Sequence, residues 1–179
     1  MSVKSKITVV TGDIIHQKVD AIVNPANSSL LGGGGVDGAI HQAAGPELYE
    51  ECRKLRGCTT GEAKLTRGHR LPAKWIIHTV GPIWKDGTRG EEEKLAKCYR
   101  SCFELVEKHA LRTVAFPAIS TGAYGFPHDK AAKIAVTEAV RFLKSNCQLE
   151  KIIFVCWDKR TFESYSLALG EVVETKKKD

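Results

Sequence analysis

The sequence lacks the features of a membrane-spanning or secreted protein. Its 179 residues contain no uninterrupted apolar run near the ~20 residues that a transmembrane helix needs. Residues 1–6 have no apolar signal-peptide core, so we expect a soluble, cytoplasmic protein. An apolar fraction of 42% and a charged fraction of 27% exclude a disordered, collagen-like or coiled-coil chain.

Motifs of metal and P-loop sites are also missing. None of the six cysteines forms a C-x-x-C pair and no histidine pair has zinc spacing, so we expect reduced, mostly buried thiols and no metal site. No Gly-Lys-Ser/Thr occurs, which excludes a P-loop. The stretch Gly33-x-Gly35-x-x-Gly38 matches the dinucleotide fingerprint formally, but eight residues separate the preceding predicted strand from the glycine run that begins at Gly32. An NAD-dependent dehydrogenase is therefore not favoured.

Positive charge is scarce in the most glycine-rich part of the chain. The net charge is +6, yet residues 7–52 hold one base, Lys18, against six acids. Residues 53–179 hold 24 bases against 15 acids, which leaves nucleic-acid binding through that part as an alternative. A phosphate bound in the acidic part would have to be held mainly by backbone N–H groups.

Alternating strand and helix patterns predict an α/β protein. Short β-branched runs predict strands at 7–10, 19–23, 63–66, 75–80, 113–116 and 151–156. Helical patterns predict helices at 36–44, 91–110, 129–143 and 160–169, and another helical turn or two at 47–55. This alternation predicts a single layered domain over residues 1–170 with a mixed, largely buried sheet, followed by a polar basic tail at 171–179.

Three strand-to-helix junctions have the composition of ligand-binding loops. They are residues 11–13, 24–41 and 117–127, and eight of the sixteen glycines lie in them. Ligands of open α/β sheets bind where loops converge at the carboxyl ends of the strands. Gly32–Gly35 is costly to order and suits a backbone that approaches a phosphate before a helix N-terminus. The alternative is a flexible surface loop.

Polar side chains in the central junction suit a sugar and a water molecule. A carboxylate repels phosphate, so Asp37 either caps the predicted helix or holds a water or a sugar hydroxyl. His41 lies four residues later on the same helical face. Asn24 and Asn27 can both donate and accept hydrogen bonds, although asparagine is also a common turn residue.

Aromatic side chains near the junctions offer flat surfaces for a ring. Tyr124 and Phe126 belong to the third junction, and Trp157 follows the last predicted strand. The alternative for each is packing in the core.

These stretches resemble the macrodomain family, and within it the MacroD-type ADP-ribosylhydrolase (O-acetyl-ADP-ribose deacetylase) branch. The matching residues run in order from about Ile7 to Leu169. The most specific are Asn-x-x-Asn at 24–27, Gly-Gly-Gly-Gly-Val-Asp-Gly-Ala-Ile-His at 32–41 and Ile-Ser-Thr-Gly-x-Tyr-Gly at 119–125. The resemblance implies a three-layer α/β/α sandwich with an ADP-ribose pocket. Pro25 departs from the family pattern, in which alanine is common.

The resemblance also implies a role for each pocket residue. Asn27 would hold the distal ribose and Asp37 would hold or activate the hydrolytic water, with Asn24 and His41 supporting that end. Asp13 would bind the adenine amino group. The other ligand-binding residues would be Ile14 and Trp157 near adenine, Gly33, Gly34, Gly35, Val36, Ser120, Thr121, Gly122 and Ala123 around the diphosphate, and Tyr124 against the distal ribose.

The function implied by the resemblance is removal of single ADP-ribose units from acidic side chains, together with deacetylation of O-acetyl-ADP-ribose. The expected partners are ADP-ribose, O-acetyl-ADP-ribose and mono-ADP-ribosylated proteins. We expect the protein to be a monomer that needs no cofactor and binds no membrane. One alternative is a non-enzymatic ADP-ribose reader with the same fold. Another is a nucleic-acid-binding protein. A hydrolase that acts on ADP-ribosylated nucleic-acid ends would combine this alternative with the hydrolase function.

Overall fold

The computed structural model describes residues 2–175, whose strands form one six-stranded sheet. The strands are β1 (Ile7–Thr11), β2 (Ala21–Ala26), β3 (Ala63–Arg67), β4 (Trp75–Val80), β5 (Thr113–Phe116) and β6 (Lys151–Cys156). Their order is β1-β6-β5-β2-β4-β3, and every neighbouring pair is parallel except β3 with β4. The predicted mixed sheet is confirmed, and five strands end at the same edge.

Five α-helices within the described residues cover the two faces of the sheet. Helices α1 (Gly35–Ala44) and α2 (Pro46–Leu55) lie on one face. Helices α3 (Glu91–Lys108), α4 (His128–Ser145) and α5 (Lys159–Thr175) lie on the other. Because both faces are covered, the central strands read as continuous apolar runs. The predicted three-layer α/β/α sandwich is confirmed.

The alternation of each strand divides the core into two parts. Ile22 and Ile76 pack with α1 and α2, whereas Val23 and Ile77 pack with α3, α4 and α5. Successive side chains of a strand point to opposite faces of the sheet. Asn24, two residues after Ile22, therefore faces the same layer as α1.

Strand β2 extends three residues beyond its predicted end at Val23. It pairs with β4 to its last residue, with Asn24 opposite His78. Pro25 has no backbone N–H, and it is tolerated because the pairing of β2 with β5 covers only the first two residues of β2. Asn24 is consequently held by a central strand and is fully buried, rather than lying in a loop.

Helix α5 also continues past its predicted end at Leu169. It reaches Thr175, and Val172 packs in the core beneath it. The predicted tail therefore starts inside a helix, while Lys176–Lys178 lie outside the described residues. The division of the chain at residue 170 stays a prediction.

The cysteines follow the expected pattern of free thiols. Cys52, Cys58, Cys98, Cys102 and Cys156 are buried and Cys147 is exposed, all without disulfides. Within residues 2–175, no helix is both long enough and apolar enough to cross a bilayer.

Candidate functional site

A cleft opens at the sheet edge where the five parallel strands end. It consists of two cavities of about 490 and 390 Å³ that share Pro25, Gly35, Val36, Ala118 and Gly122. β2 leads into α1 on one face, whereas its neighbour β5 leads into α4 on the other face. Loops that diverge in this way leave a crevice between them. All three glycine-bearing junctions line this cleft, as the sequence predicts.

The larger cavity contains the residues predicted to lie near adenine. Asp13, Ile14 and Trp157 line it, and 74% of the surface of Trp157 is exposed. Asp13 Oδ1 accepts a hydrogen bond from the backbone N–H of Ile15 at 3.1 Å and so caps a short 3-10 turn, Ile14–His16. Among the described residues, no hydrogen bond to its second carboxylate oxygen is found.

The smaller cavity brings Asn27 and Asp37 together around Gly33. A methyl group placed on Gly33 would lie 3.3 Å from Asn27 Nδ2 and 3.3 Å from Asp37 Oδ2. Asn27 Nδ2 also donates to the carbonyl oxygen of Gly32 at 2.9 Å, which orients the amide. Glycine at position 33 therefore keeps open a space between an amide donor and a carboxylate oxygen.

A hydrogen bond from Asn24 anchors Asp37 on the side of the protein interior, and His41 lies close to the same oxygen. Asp37 Oδ1 accepts a hydrogen bond from Asn24 Nδ2 at 2.9 Å and lies 3.5 Å from His41 Nε2. Asp37 is only 6% exposed. Burial raises its pKa, while the hydrogen bond from Asn24 and the charge of His41 act to lower it. The result is a carboxylate with one oxygen anchored, the other facing Gly33, and a basicity above that of an ordinary aspartate.

His78 lies directly behind Asn24 and has no role predicted from sequence. Its Nδ1 is 3.1 Å from Asn24 Nδ2, and its Nε2 is 2.8 Å from Thr66 Oγ1. The ring is fully buried, and burial together with nearby His41 lowers the pKa of His78 to about 3. His78 is therefore neutral. A histidine inside an apolar strand is a sequence signal that equally fits a packed core residue, and the resemblance of residues 78–82 to the family gave His78 no role.

Glycine-rich backbone, rather than cationic side chains, lines this cleft. Within residues 2–175, neither cavity is lined by a lysine or an arginine. The first turn of α1 offers N–H groups that have no partner within the helix. Ser120 lies in the facing loop with φ +68°, and its buried Oγ has no hydrogen-bond partner among the described residues.

The predicted aromatic residues separate into two kinds. Tyr124 lines the smaller cavity and Trp157 the larger. Phe126 is instead buried in the core, where its ring packs on Trp84 with ring centroids 4.8 Å apart. Core packing therefore holds for Phe126 alone.

Several lining residues of the larger cavity were not predicted. They belong to α4, the end of β6 and the start of α5, and they are His128, Val155, Asp158 and Thr161. No local motif marks them, because only the strand order brings these elements to one place. In the part of the chain that the structure describes, no three His, Cys, Asp or Glu side chains are grouped so as to hold a metal ion.

Comparisons with known proteins agree with this geometry. The Macro domain family model matches residues 23–135. The chain is 50% identical over 164 residues to a Pantoea vagans protein named O-acetyl-ADP-ribose deacetylase 1, covering 89% of this chain and 96% of that one. It is 49% identical over 172 residues to the Xenopus laevis protein named ADP-ribose glycohydrolase MACROD2, covering 95% of this chain and 41% of that one.

The fold comparison gives the same answer. A mutant of the Oceanobacillus iheyensis macrodomain with ADPR matches at a TM-score of 0.89 and 44% sequence identity, covering 93% of this chain and 92% of that one. The family match covers the central and third junctions that form most of the cleft. On sequence, fold and cleft alike, this chain belongs to the macrodomain family.

Proposed function

We propose that the protein is an ADP-ribose-binding hydrolase that removes single ADP-ribose units from acidic side chains and deacetylates O-acetyl-ADP-ribose. The observation that carries this proposal is the placement of Asn27 Nδ2 and Asp37 Oδ2 on either side of the open space at Gly33. The names of the two relatives, a deacetylase and a glycohydrolase, support a hydrolase. The family structure with ADPR supports the ligand.

In this proposal ADP-ribose extends across both cavities. The free carboxylate oxygen of Asp13 accepts a hydrogen bond from the adenine amino group, while Ile14 and Trp157 enclose the ring. Backbone N–H groups of residues 33–36 and 120–123 hold the diphosphate. Asn27 and Tyr124 then hold the distal ribose beside Asp37.

The proposed reaction is the attack of water on C1″ of the distal ribose. The bond between C1″ and the oxygen of the substrate carboxylate breaks, and the products are ADP-ribose and a free side-chain carboxylate. The transition state resembles the oxocarbenium ion of a glycosidase. Asp37 Oδ2 either orients the water or accepts its proton, and the raised pKa of Asp37 brings it nearer the range of a general base. Positioning and hydrogen bonds supply the catalysis, so we propose no cofactor.

The same pocket serves the second substrate. In O-acetyl-ADP-ribose, water attacks the carbonyl carbon of the acetyl ester and releases acetate and ADP-ribose. We further propose that the protein acts as a cytoplasmic monomer on mono-ADP-ribosylated proteins, and that ADP-ribosylated nucleic-acid ends are an additional substrate.

Release of label from a carboxylate-linked mono-ADP-ribosylated protein tests the proposal. We expect wild type to release ADP-ribose, and Asp37→Ala and Asn27→Ala to slow release by about 100-fold or more, while Glu104→Ala, an exposed acid on α3, has no effect. If wild type binds ADP-ribose but releases nothing, the protein is a reader. If Asp37→Ala is as fast as wild type, the role of Asp37 is wrong.

The bond that breaks is found by running the reaction in H₂¹⁸O. Attack at C1″ places ¹⁸O in ADP-ribose, which we expect. Attack at the acyl carbon would place ¹⁸O in the protein carboxylate and would overturn the glycosidase-like step.

A further inference from the structure

Four buried polar side chains form a continuous chain from the edge of the sheet to the cleft. Thr66 on β3 is 2.8 Å from His78 on β4, measured from Oγ1 to Nε2. His78 Nδ1 is 3.1 Å from Nδ2 of Asn24 on β2, and the same Nδ2 is 2.9 Å from Oδ1 of Asp37 on α1. Of the four residues, only Asp37 lines the cleft. Thr66, His78 and Asn24 can therefore affect a bound substrate only through Asp37.

The directions of these hydrogen bonds follow from the outer end of the chain. Thr66 Oγ1 donates to the carbonyl oxygen of Arg67 at 3.3 Å, so the hydroxyl oxygen accepts from His78 Nε2–H. Cys52 Sγ, at 3.8 Å from the same nitrogen, is a much weaker partner. With its proton on Nε2, neutral His78 presents a lone pair on Nδ1, which accepts one amide hydrogen of Asn24. The other amide hydrogen is donated to Asp37 Oδ1.

The opposite tautomer of His78 would break this arrangement. A proton on Nδ1 would require Asn24 to turn its Oδ1 toward the ring, and the same oxygen would then face Asp37 Oδ1. Two acceptors would be opposed in a buried site, which is costly. Asn24 Oδ1 is buried and has no hydrogen-bond partner among the described residues. The orientation of this amide is therefore determined by what its Nδ2 contacts.

We propose that His78 is a positioning residue of the hydrolytic site. Its Nδ1, held in the acceptor state by Thr66, orients Asn24 so that the amide anchors Asp37 Oδ1 and leaves Oδ2 for water. This inference rests on the proposed function, because it concerns the same carboxylate. It adds two residues, Thr66 and His78, that do not line the cleft.

Breaking this chain of hydrogen bonds should change the pH dependence of kcat. The hydrogen bond from Asn24 opposes the effect of burial on the pKa of Asp37, so its loss raises that pKa further. The other titratable groups near Asp37 are His41 on α1, His78 on β4 and Cys52 on α2. Burial raises the pKa of Cys52 to about 12 and lowers that of His78 to about 3, so both are neutral at neutral pH. The acid limb of the pH profile of kcat should therefore move to higher pH when the chain of hydrogen bonds is broken.

Two pairs of variants separate positioning from folding. His78→Asn keeps an acceptor near the place of Nδ1, whereas His78→Gln keeps an amide near Nε2 and loses the acceptor for Asn24. Thr66→Val removes the hydroxyl at nearly constant volume, and Thr66→Ser keeps it. We expect kcat to fall roughly ten- to 100-fold in His78→Gln and Thr66→Val, with the acid limb at higher pH and KM nearly unchanged. His78→Asn and Thr66→Ser should retain most of the activity and the wild-type limb.

A measurement without turnover distinguishes this inference from the proposed function. In the ligand-free wild type, the ¹⁵N shifts of His78 should show the Nε2–H tautomer. A ¹³C titration of Asp37 should give a higher pKa in His78→Gln than in wild type. If these hold and wild type releases no ADP-ribose, the proposed function fails and the anchoring of Asp37 stands. Equal Asp37 pKa values in the members of each pair overturn the inference, as does a proton on Nδ1. The Thr66 pair decides the outcome if the His78 variants do not fold.

Discussion

At the scale of single residues, Asp37 is subject to two opposing demands. Its burial disfavours the ionised form, which the proposed chemistry uses, and burial is the largest influence on its pKa. Asn24 and His41 offset part of that effect from the interior side. A residue of this kind lowers the stability of the fold for the sake of its chemistry.

We expect Asp37→Asn to abolish most turnover and to stabilise the fold. A folded-state pKa raised above 3.8 contributes stability that is complete below pH 3.8 and is lost as the pH rises through the folded-state value. The variant does not titrate and keeps an oxygen for the Asn24 donor. Its Tm should therefore match wild type at about pH 3 and exceed it at neutral pH, by about 2–4 °C for each ~1 kcal/mol. Thermal denaturation across pH measures this, and a Tm below wild type at neutral pH would contradict it.

Ser120 is a second residue that we expect to lower the stability of the fold while it strengthens ADP-ribose binding. A serine at φ +68° is in the left-handed region, which costs roughly 1 kcal/mol relative to glycine. We expect Ser120→Gly to raise the free energy of unfolding, by up to about 1 kcal/mol, and to weaken ADP-ribose binding through loss of Oγ. Urea denaturation and calorimetric titration measure the two effects.

Ser120→Ala is the matched control, since it removes Oγ and keeps the strained backbone. It should weaken binding without the part of the stability gain that comes from relief of the backbone strain. If both variants bind ADP-ribose as wild type does, the hydroxyl has no part in the site.

At the scale of elements, the glycine loop and helix α1 depend on a close backbone contact. A methyl group on Gly38 would overlap the carbonyl oxygen of Gly33. Gly81, after β4, likewise has no room for a methyl group because Ser120 and Ile119 lie against it. Glycine at these positions allows the loops of the cleft to approach each other.

Gly38→Ala should destabilise the protein, although glycine to alanine inside a helix normally stabilises by ~1 kcal/mol. The displaced Gly33 carbonyl should also disturb the space beside Asp37 and weaken ADP-ribose binding. Gly170→Ala in α5 is the control, because its added methyl would have no atom within 4 Å apart from neighbouring residues and the backbone of its own helix. Chemical denaturation should show opposite signs for the two variants, and a stabilising Gly38→Ala would refute the close contact.

The element boundaries show what local sequence can and cannot predict. Apolar period and helix-start signals place all six strands and five helices of the described residues near their observed positions. The end of β2 was wrong because pairing with β4, a distant segment, extends the strand through Asn24 and Pro25. The end of α5 was wrong because Val172 finds a place in the core.

At the scale of the whole molecule, the distribution of charge matters more than its sum. The net charge of +6 comes from residues outside the acidic segment 7–52. Within the described residues, no cationic lysine or arginine lines the cleft. Binding of a diphosphate should therefore depend on backbone dipoles at short range.

ADP-ribose affinity should change little with salt. Between about 0.05 and 0.5 M NaCl we expect less than roughly a threefold change in Kd, because charges beyond a Debye length of ~10 Å are screened at moderate salt and contribute little. Calorimetric titrations at the two salt concentrations measure this. A tenfold weakening would show that lysine or arginine side chains hold the phosphates. Oligonucleotide binding, if present, should instead weaken steeply.

The sequence by itself determined the α/β layers, the three glycine-bearing junctions and the family, because apolar period, glycine runs and short motifs are local properties. Only the tertiary structure decided that Asp37 Oδ1 is anchored and Oδ2 faces the pocket, and that His78 lies behind Asn24. Asn24 and His78 are 54 residues apart and meet because β2 and β4 pair. Such contacts depend on strand order and register, which the packing of the whole chain determines.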